Sequence, residues 1–366
     1  MRLVIALLVA ASLTAPVCAA EAYVLEQESE ILAVSSLEEG LDSQTREALS
    51  GLSPKKPADF GTAFLRIIRW ASMLTPGSLR RAVRTSALLL LICLLCSMAG
   101  ASVRSGQLHA PKLFGAFALT AACVTDLNVM TGLATGTLER LEEFSKLLLP
   151  VMCSAALASG AATSSGAVYL ASSLFFSVLA SLIRAVLIPL VSVFLALSAA
   201  VCATGDGRFT RLQSLAGWAV TVLLKGITYV FTGYVSLTGL AAGSADQAAV
   251  RAAKSAISAA VPVVGRIVSD ASESVLAGAQ FLRAAAGSFG CLAILAISLV
   301  PFFQIGVQYL AMKLTTALAG LCAEEPYVKL LSSVTTAMGF YLGMVACCCL
   351  MLLLSCVCFM RVVSAV

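Results

Sequence analysis

The sequence predicts an all-α protein that crosses a membrane several times, and three features predict this fold class. Hydrophobic residues make up 60% of the chain and charged residues 12%, against about 45–50% and about 25% in soluble domains. The segment 147–200 contains a single charged side chain, Arg184. Apolar stretches near the roughly 20 residues that a membrane-spanning helix needs recur as far as residue 360. We therefore expect about six to eight transmembrane or re-entrant helices.

Residues 1–20 have the pattern of a cleavable secretory signal peptide. Arg2 precedes an apolar run at 3–13, and small residues follow it. An uncleaved first membrane helix is the alternative, but the apolar run is shorter than a span. We expect cleavage after Ala19 or Ala20.

The next segment, 21–59, is acidic, and we interpret it as an extracytoplasmic arm. It holds nine acidic and three basic residues, whereas the rest of the chain without Arg2 holds 10 acidic and 20 basic residues. A −6 arm is thus joined to a +10 membrane body. The apolar residues of the arm have a loosely helical spacing. Two interpretations remain open, namely an arm that folds on a partner and a solvated, disordered segment.

Residues 60–84 predict an amphipathic helix at the level of the lipid headgroups. Apolar residues alternate there with five arginines, and Trp70 has the character of an interfacial anchor. Two membrane parts follow, at 85–244 and 288–366. By hydropathy and length we predict spans at about 86–103, 113–134, 147–163, 167–183, 185–203, 217–242, 288–312 and 336–360.

A stretch of small residues in the first membrane part predicts close helix packing or a pore lining. Residues 153–167 contain one large aliphatic side chain, Leu157, among Ala, Ser, Thr, Gly and Cys, a composition that lets helices approach closely in lipid. The run 159–166 has neither charge nor an obvious loop, so we favour a discontinuous helix there. The candidate packing or pore motif consists of Pro150, Ser159, Gly160, Thr163 and Gly166.

Residues 245–287 are too polar to span a membrane, although their apolar residues have a helical spacing. We predict an amphipathic loop domain that caps one face of the membrane body. A turn begins at its proline, and the candidate loop-turn motif consists of Pro262, Gly265 and Asp270.

The search for catalytic and ligand-binding groups yields few candidates. His109 is the single histidine of the chain and lies in a short loop beside Arg104 and Lys112, so a histidine-based metal cluster cannot form and we expect no Ser/His/Asp triad. No GxxxxGK[ST] phosphate-binding loop occurs. Most of the 13 cysteines lie in apolar runs, where thiols pack as small hydrophobic groups. We expect no enzyme activity, no catalytic residue, no metal, no cofactor and no nucleic-acid partner, and membrane lipid as the surroundings.

Charged residues inside predicted spans are the remaining candidates, because an ionisable group in a membrane is costly and often functional. Asp126 is the strongest candidate for a coupling or pore residue. A structural hydrogen bond with its neighbours Thr125 or Asn128 is the competing interpretation. Arg184 and Lys225 lie nearer to span ends, where their side chains can also extend to the interface.

Four blocks of sequence occur in the order found in one known family. They read LLLPVMCSAALASGAATSSGAV from Leu147, then LIPLVSVFLALSAAV, AAVPVVGRIVSDASESVLAGA and SLVPFFQIGVQYLAMKLTTALAGLCAEEPYVKLL. In these blocks the chain resembles the stage III sporulation protein AE family of endospore-forming bacteria. The resemblance extends from about residue 138 to about residue 363, and the segment before it resembles the family in layout only.

This resemblance implies a polytopic component of the stage III A complex, in the mother-cell membrane that surrounds the forespore. With stage II sporulation protein Q, that complex forms a channel or secretion-like conduit between the two cells. The implied partners are the other proteins of the complex, including a secretion-type ATPase, with protein Q as an indirect partner. The alternative is a secondary transporter or permease for a small solute, which Asp126 and the discontinuous helix favour. An intramembrane enzyme is disfavoured by the lack of a histidine or paired-acid site.

Overall fold

The structure is a computed structural model, and it describes residues 36–55, 59, 60–73, 76–102, 109–159, 162–260 and 264–361. All regular elements in these ranges are helices: α1 Ser36–Glu39, α2 Ser43–Ala48, α3 Phe60–Met73, α4 Pro76–Ser102, α5 His109–Ala158, α6 Ala162–Leu182, α7 Ile188–Thr204, α8 Gly207–Ala260, α9 Val264–Cys322 and α10 Glu325–Arg361. The predicted signal peptide lies outside the described residues.

Six stretches of the described helices are long and apolar enough to cross a membrane, which confirms the predicted fold class. They are Pro76–Met98, Phe114–Ala158, Tyr169–Thr204, Gly207–Gly233, Ala277–Cys322 and Glu325–Met360. Two pairs of predicted spans are continuous in the structure. The spans predicted at 113–134 and 147–163 both belong to α5, and those at 167–183 and 185–203 belong to α6 and α7, which a π-helical turn joins.

Helix α5 stays unbroken because ion pairs accommodate the charges in its middle. Glu142 accepts from Lys146 one helical turn away, at 3.1 Å, and also pairs with Arg184. Arg140 reaches Asp42 of the acidic arm at 3.4 Å. An exposed helix surface can carry such charges, and pairs of opposite sign one turn apart add to its stability. The polar segment that suggests a loop is therefore a helical surface.

The junction of α6 and α7 follows from a proline. Pro189 has no N–H group, so it cannot donate the backbone hydrogen bond that an α-helix needs at this position. The π-helical turn Ile183–Leu187 lies directly before it, and such turns are a common way to insert an irregularity without ending a helix. The chain therefore continues through this point.

Helices α9 and α10 form the centre of the bundle. In the most apolar stretch of α9, 56% of the residues are buried, and in that of α10, 50%. The corresponding share is 17% in both α4 and α8. Helix α9 packs antiparallel to both α5 and α10, as Gly290 lies beside Leu148 of α5 and Cys356 of α10. The peripheral helices α4 and α8 instead expose large apolar side chains: Leu79, Val83, Leu88, Leu91, Leu94, Leu95, Met98, Leu212, Leu215, Trp218, Val222 and Leu223.

The bundle has two distinct ends. At the turn end, α4, α7 and α9 finish and α5, α8 and α10 begin, and the backbone N–H of Glu324 donates to Ser97 there. At the hairpin end, α5 is followed by α6, and α8 by α9. Helix α10, with 37 residues, is about 55 Å long, whereas the hydrocarbon core of a bilayer is about 30 Å thick. The bundle is therefore longer than one membrane crossing.

Helix α3 divides the bundle into two halves along this length. Its Trp70 lines a cavity with Leu133 of α5 and Ala296 of α9. We call the part between this level and the turn end the turn half, which includes residues 114–133 of α5. The part on the other side is the hairpin half, which includes residues 134–158. Helix α4 begins at Pro76, directly after α3, and its candidate span of 23 residues is about 34 Å long.

The described part of the acidic arm folds onto the chain's own hairpin half. Leu37 and Leu49 are buried in the main core, and α1 and α2 contact α5 and α9. Gly40 lies so close to Leu147 that a Cβ atom there would overlap the leucine side chain. The surface on which these residues fold is thus supplied by the same chain.

Residues 245–287, predicted as a loop domain, lie in the last part of α8 and the first part of α9. These helices contain 54 and 59 residues, so each is about 80–90 Å long. Their candidate membrane-spanning stretches end at Gly233 and begin at Ala277. The segments between these two residues extend the helices beyond the rest of the bundle.

Candidate functional site between helices α5 and α9

A buried carboxylate and a buried amide connect α5 and α9 in the turn half. Asp126 is 6% exposed and Gln308 is 2% exposed. The side-chain N–H of Gln308 donates to the Asp126 carboxylate. The competing sequence interpretation is wrong about the partner, because Thr125 donates to the carbonyl of Ala121 at 3.3 Å and Asn128 is exposed. Asp126 thus bridges two helices and does not close a local turn.

The surroundings of Asp126 reduce the cost of burying a carboxylate. The Arg81 guanidinium of α4 acts on it electrostatically, and one hydrogen bond comes from Gln308. Little more than one turn along α5, the fully buried Tyr341 of α10 lies close to Thr131. Polar contacts therefore join α5 to both central helices at this depth. Chemically, the carboxylate can hold the helices together or exchange a proton.

A second buried polar contact joins the same two helices in the hairpin half. Arg283 of α9 is 3% exposed and donates from Nη1 to the hydroxyl of Ser159 at 3.2 Å. Its Nε and Nη2 atoms have no hydrogen-bond partner among the residues that the structure describes. Ser159 directly follows the last residue of α5, and the carbonyl end of a helix favours a cation. This position explains why a guanidinium is tolerated there although two of its donors are unused.

The structure separates the members of the predicted packing motif. Pro150 is exposed on α5 and Ser159 is buried beside Arg283. Gly160 lies outside the described residues, and Thr163 lies in α6. A Cβ atom at Gly166 would meet nothing within 4 Å.

Close packing in this region belongs to residues before the break in the chain. Ala155 and Ala156, near the end of α5, are fully buried. Ala158 ends α5 and Ala162 begins α6, so the two helices are separate there. Of the loop-turn motif, Gly265 and Asp270 lie in the first turns of α9, and Pro262 lies outside the described residues.

Sequence reasoning missed the residues of α9 that complete these contacts. Gln308 and Arg283 supply the partners of Asp126 and Ser159. Gly287 and Gly290 lie where α9 meets α5 and α10, and an added Cβ would overlap Met360 or Leu148. The spacing of these glycines places both on one side of a helix and could have indicated a packing surface.

A polar cleft of about 370 Å³ opens at the turn end, between α7, α8 and α10. Gln213 crosses it, donating to Ser198 at 2.8 Å and to Ser333 at 2.7 Å. Lys329 and Glu325 form an ion pair at its rim, at 2.7 Å. Within the part of the chain that the structure describes, no group of three or more His, Cys, Asp or Glu side chains is arranged to hold a metal ion.

Comparison with known proteins identifies the family. The family model of stage III sporulation protein AE matches residues 80–362. The stage III sporulation protein AE of Bacillus subtilis (strain 168) is 22% identical over 232 residues, which are 63% of this chain and 58% of that relative. No solved structure matches the chain. With its six candidate spans, the chain is a multi-pass membrane protein of sporulation, and it belongs to the stage III sporulation protein AE family.

Proposed function

We propose that the chain is a membrane component of the channel or secretion-like complex that links mother cell and forespore during endospore formation. Its place is the mother-cell membrane around the forespore. The family match carries the proposal, because residues 80–362 include nearly all of the six candidate spans. The match to the B. subtilis relative spans 58% of that protein. The partners and the role of the whole complex component are therefore assigned to this chain only as part of this proposal.

Within the complex, the chain acts as a membrane platform without catalytic activity. Its buried polar residues support this role. The contact of Asp126 with Gln308 and that of Arg283 with Ser159 both connect α5 to α9 and so hold the bundle together. The partners are the other stage III A proteins, including a secretion-type ATPase, with stage II sporulation protein Q as an indirect partner. The α8–α9 hairpin, which extends past the candidate spans, provides a surface for them.

The hairpin gives a direct test. Deleting residues 249–259 and 265–275 together removes about three helical turns from each helix and keeps their faces aligned, because 11 residues make about three turns. In sporulating cells, we expect the tagged variant to insert and fold but to recover much less of the complex on affinity purification. Quantitative mass spectrometry of the co-purified proteins measures the loss. Unchanged partner recovery together with normal spore formation would contradict the platform role.

A secondary transporter is the second candidate, and Asp126 and the cleft at the turn end favour it. A carboxylate buried between helices can take up and release a proton during transport, and the cleft provides polar groups near one end. Purified protein in vesicles with an internal pH-sensitive dye tests this function, with candidate solutes added singly. Proton entry that depends on a solute and is lost in Asp126→Asn would support a transporter. The platform proposal predicts no such entry and normal complex recovery for Asp126→Asn.

A further inference from the structure

The bend between α3 and α4 carries an unbalanced cluster of arginines, which we call the arginine elbow. It consists of Arg66, Arg69, Arg80, Arg81 and Arg84, all exposed. No acidic residue occurs in residues 60–125. None of the five forms an ion pair with a carboxylate of the described residues. Arg66 donates to the carbonyl of Ser50 at 3.1 Å, and Arg81 acts electrostatically on Asp126.

The elbow lies at the depth where lipid headgroups begin. Helix α4 exposes apolar side chains from Leu79 to Met98, over about 30 Å, which equals one hydrocarbon core. The elbow is at the start of this apolar stretch. Helix α3 buries Ile67 against the bundle and exposes Leu65 and Met73, as a helix lying along a membrane surface does.

The opposite end of the membrane-spanning stretches has a different charge balance. Among the described residues there, four are basic (Lys112, Arg208, Arg211 and Lys329) and three are acidic (Asp206, Glu324 and Glu325), a net charge of only +1. Among the described residues, the larger local excess of positive charge is thus at the elbow. A cluster of unpaired arginines at the headgroup level attracts anionic lipid, and the guanidinium group matches phosphate through paired hydrogen bonds.

We propose that the arginine elbow is a binding site for the phosphate groups of anionic phospholipids. The arginines bind the headgroups, while the exposed apolar side chains of α3 contact the adjoining acyl chains. The site fixes the depth of α4 in the membrane. It is independent of any role in the sporulation complex, because its elements belong to this chain alone.

The two tryptophans of the chain allow a matched test. Trp70 adjoins the elbow on α3, and Trp218 is exposed on α8 among the apolar side chains of the turn half. Trp218→Phe leaves Trp70 as the sole reporter, and Trp70→Phe leaves Trp218. Each full-length variant is reconstituted into phosphatidylcholine vesicles that contain either brominated phosphatidylglycerol or brominated phosphatidylcholine, because bromine quenches nearby tryptophan fluorescence.

We expect brominated phosphatidylglycerol to quench Trp70 severalfold more than brominated phosphatidylcholine, and to quench Trp218 about equally. Added salt will reduce the preference at Trp70, since screening weakens exposed charges. The triple change Arg69→Gln, Arg80→Gln and Arg84→Gln will abolish it, with Arg81 retained because it acts electrostatically on Asp126. An equal preference at the two tryptophans would overturn the proposal even if the triple variant failed to fold. Retention of the preference in a folded triple variant would do the same.

Discussion

The turn half and the hairpin half share the helices α5, α9 and α10 but present different surfaces. In the turn half, α4 and α8 surround the centre and expose apolar side chains. In the hairpin half, the middle of α5 carries exposed charges, including Glu139, Arg140 and Lys146, and the acidic arm packs beside them. Helix α5 belongs to both halves, and its candidate span of 45 residues is about 68 Å long. Hydropathy thus identifies the helices, while their surfaces indicate which part contacts lipid.

The largest expected effect comes from the glycine surface of α9 in the hairpin half. Gly290→Leu will lower the free energy of unfolding by about 3 kcal/mol, because the new side chain overlaps Leu148. The yield of monodisperse protein in detergent measures the loss. Gly306→Leu is the matched control on the same helix in the turn half, because nothing lies within 4 Å of its Cβ position. Equal losses of monodisperse protein in the two variants would contradict the difference in packing between Gly290 and Gly306.

The next effect concerns the polar pair of the turn half. Gln308→Leu leaves the Asp126 carboxylate buried without its donor, so we expect the free energy of unfolding to fall by about 1–3 kcal/mol. Replacing both residues by leucine will restore part of this loss, because no unpaired polar group remains. Unfolding curves of the two single variants and the double variant give the coupling. A double variant less stable than Gln308→Leu would show that the pair is not coupled in this way.

A smaller effect of opposite sign is expected at the polar contact of the hairpin half. The Nε and Nη2 atoms of Arg283 have no partner in the described part of the chain, and an incompletely satisfied buried charge is costly. Arg283→Met will therefore leave the free energy of unfolding unchanged or raise it by about 1 kcal/mol. Thermal unfolding in detergent is the measurement, with Arg283→Ala as a control that leaves a cavity. A loss as large as that of Gln308→Leu would make the two polar contacts equivalent.

The smallest effect is expected where the arm meets α5. Asp42→Asn removes an ion pair whose partners are about half exposed, so the change in stability will be below about 1 kcal/mol. Limited proteolysis will detect no new cleavage in the arm. By contrast, Gly40→Leu will expose the arm to protease, because its side chain overlaps Leu147. Protection of the arm in Gly40→Leu would show that this contact does not hold it in place.

Local sequence predicted the helices and the buried acid, but not the contacts made over long distances. Asp126 is recognisable as a carboxylate within an apolar run. Its partner, Gln308, lies 182 residues further along the chain, and no local pattern connects the two. The gap between the spans predicted at 113–134 and 147–163 has the same origin. The charged residues there suggest a solvated segment between two helices, whereas in the structure Arg140 pairs with Asp42 and Glu142 pairs with Arg184.

The eight separate stretches predicted by hydropathy correspond to six continuous candidate spans for a related reason. Arg184 and Pro189 both suggest a helix end, and a sequence pattern does not distinguish a helix end from a π-helical turn. The discontinuity predicted in residues 159–166 begins where α5 ends at Ala158, whereas Thr163 and Gly166 already belong to α6. Helix length also escaped prediction, since spans were expected to match one bilayer thickness.

The contact of the arm with α9 has a consequence for the timing of folding. Leu49 and Phe289 line the same cavity between the arm and α9, yet 240 residues separate them in the chain. At about 5–20 residues per second of synthesis, the arm waits on the order of tens of seconds for its docking surface to emerge from the ribosome. Throughout that interval, the leucines of the arm lack the α9 surface against which they pack in the folded protein. Its many acidic side chains then keep the nascent segment soluble until α9 is inserted.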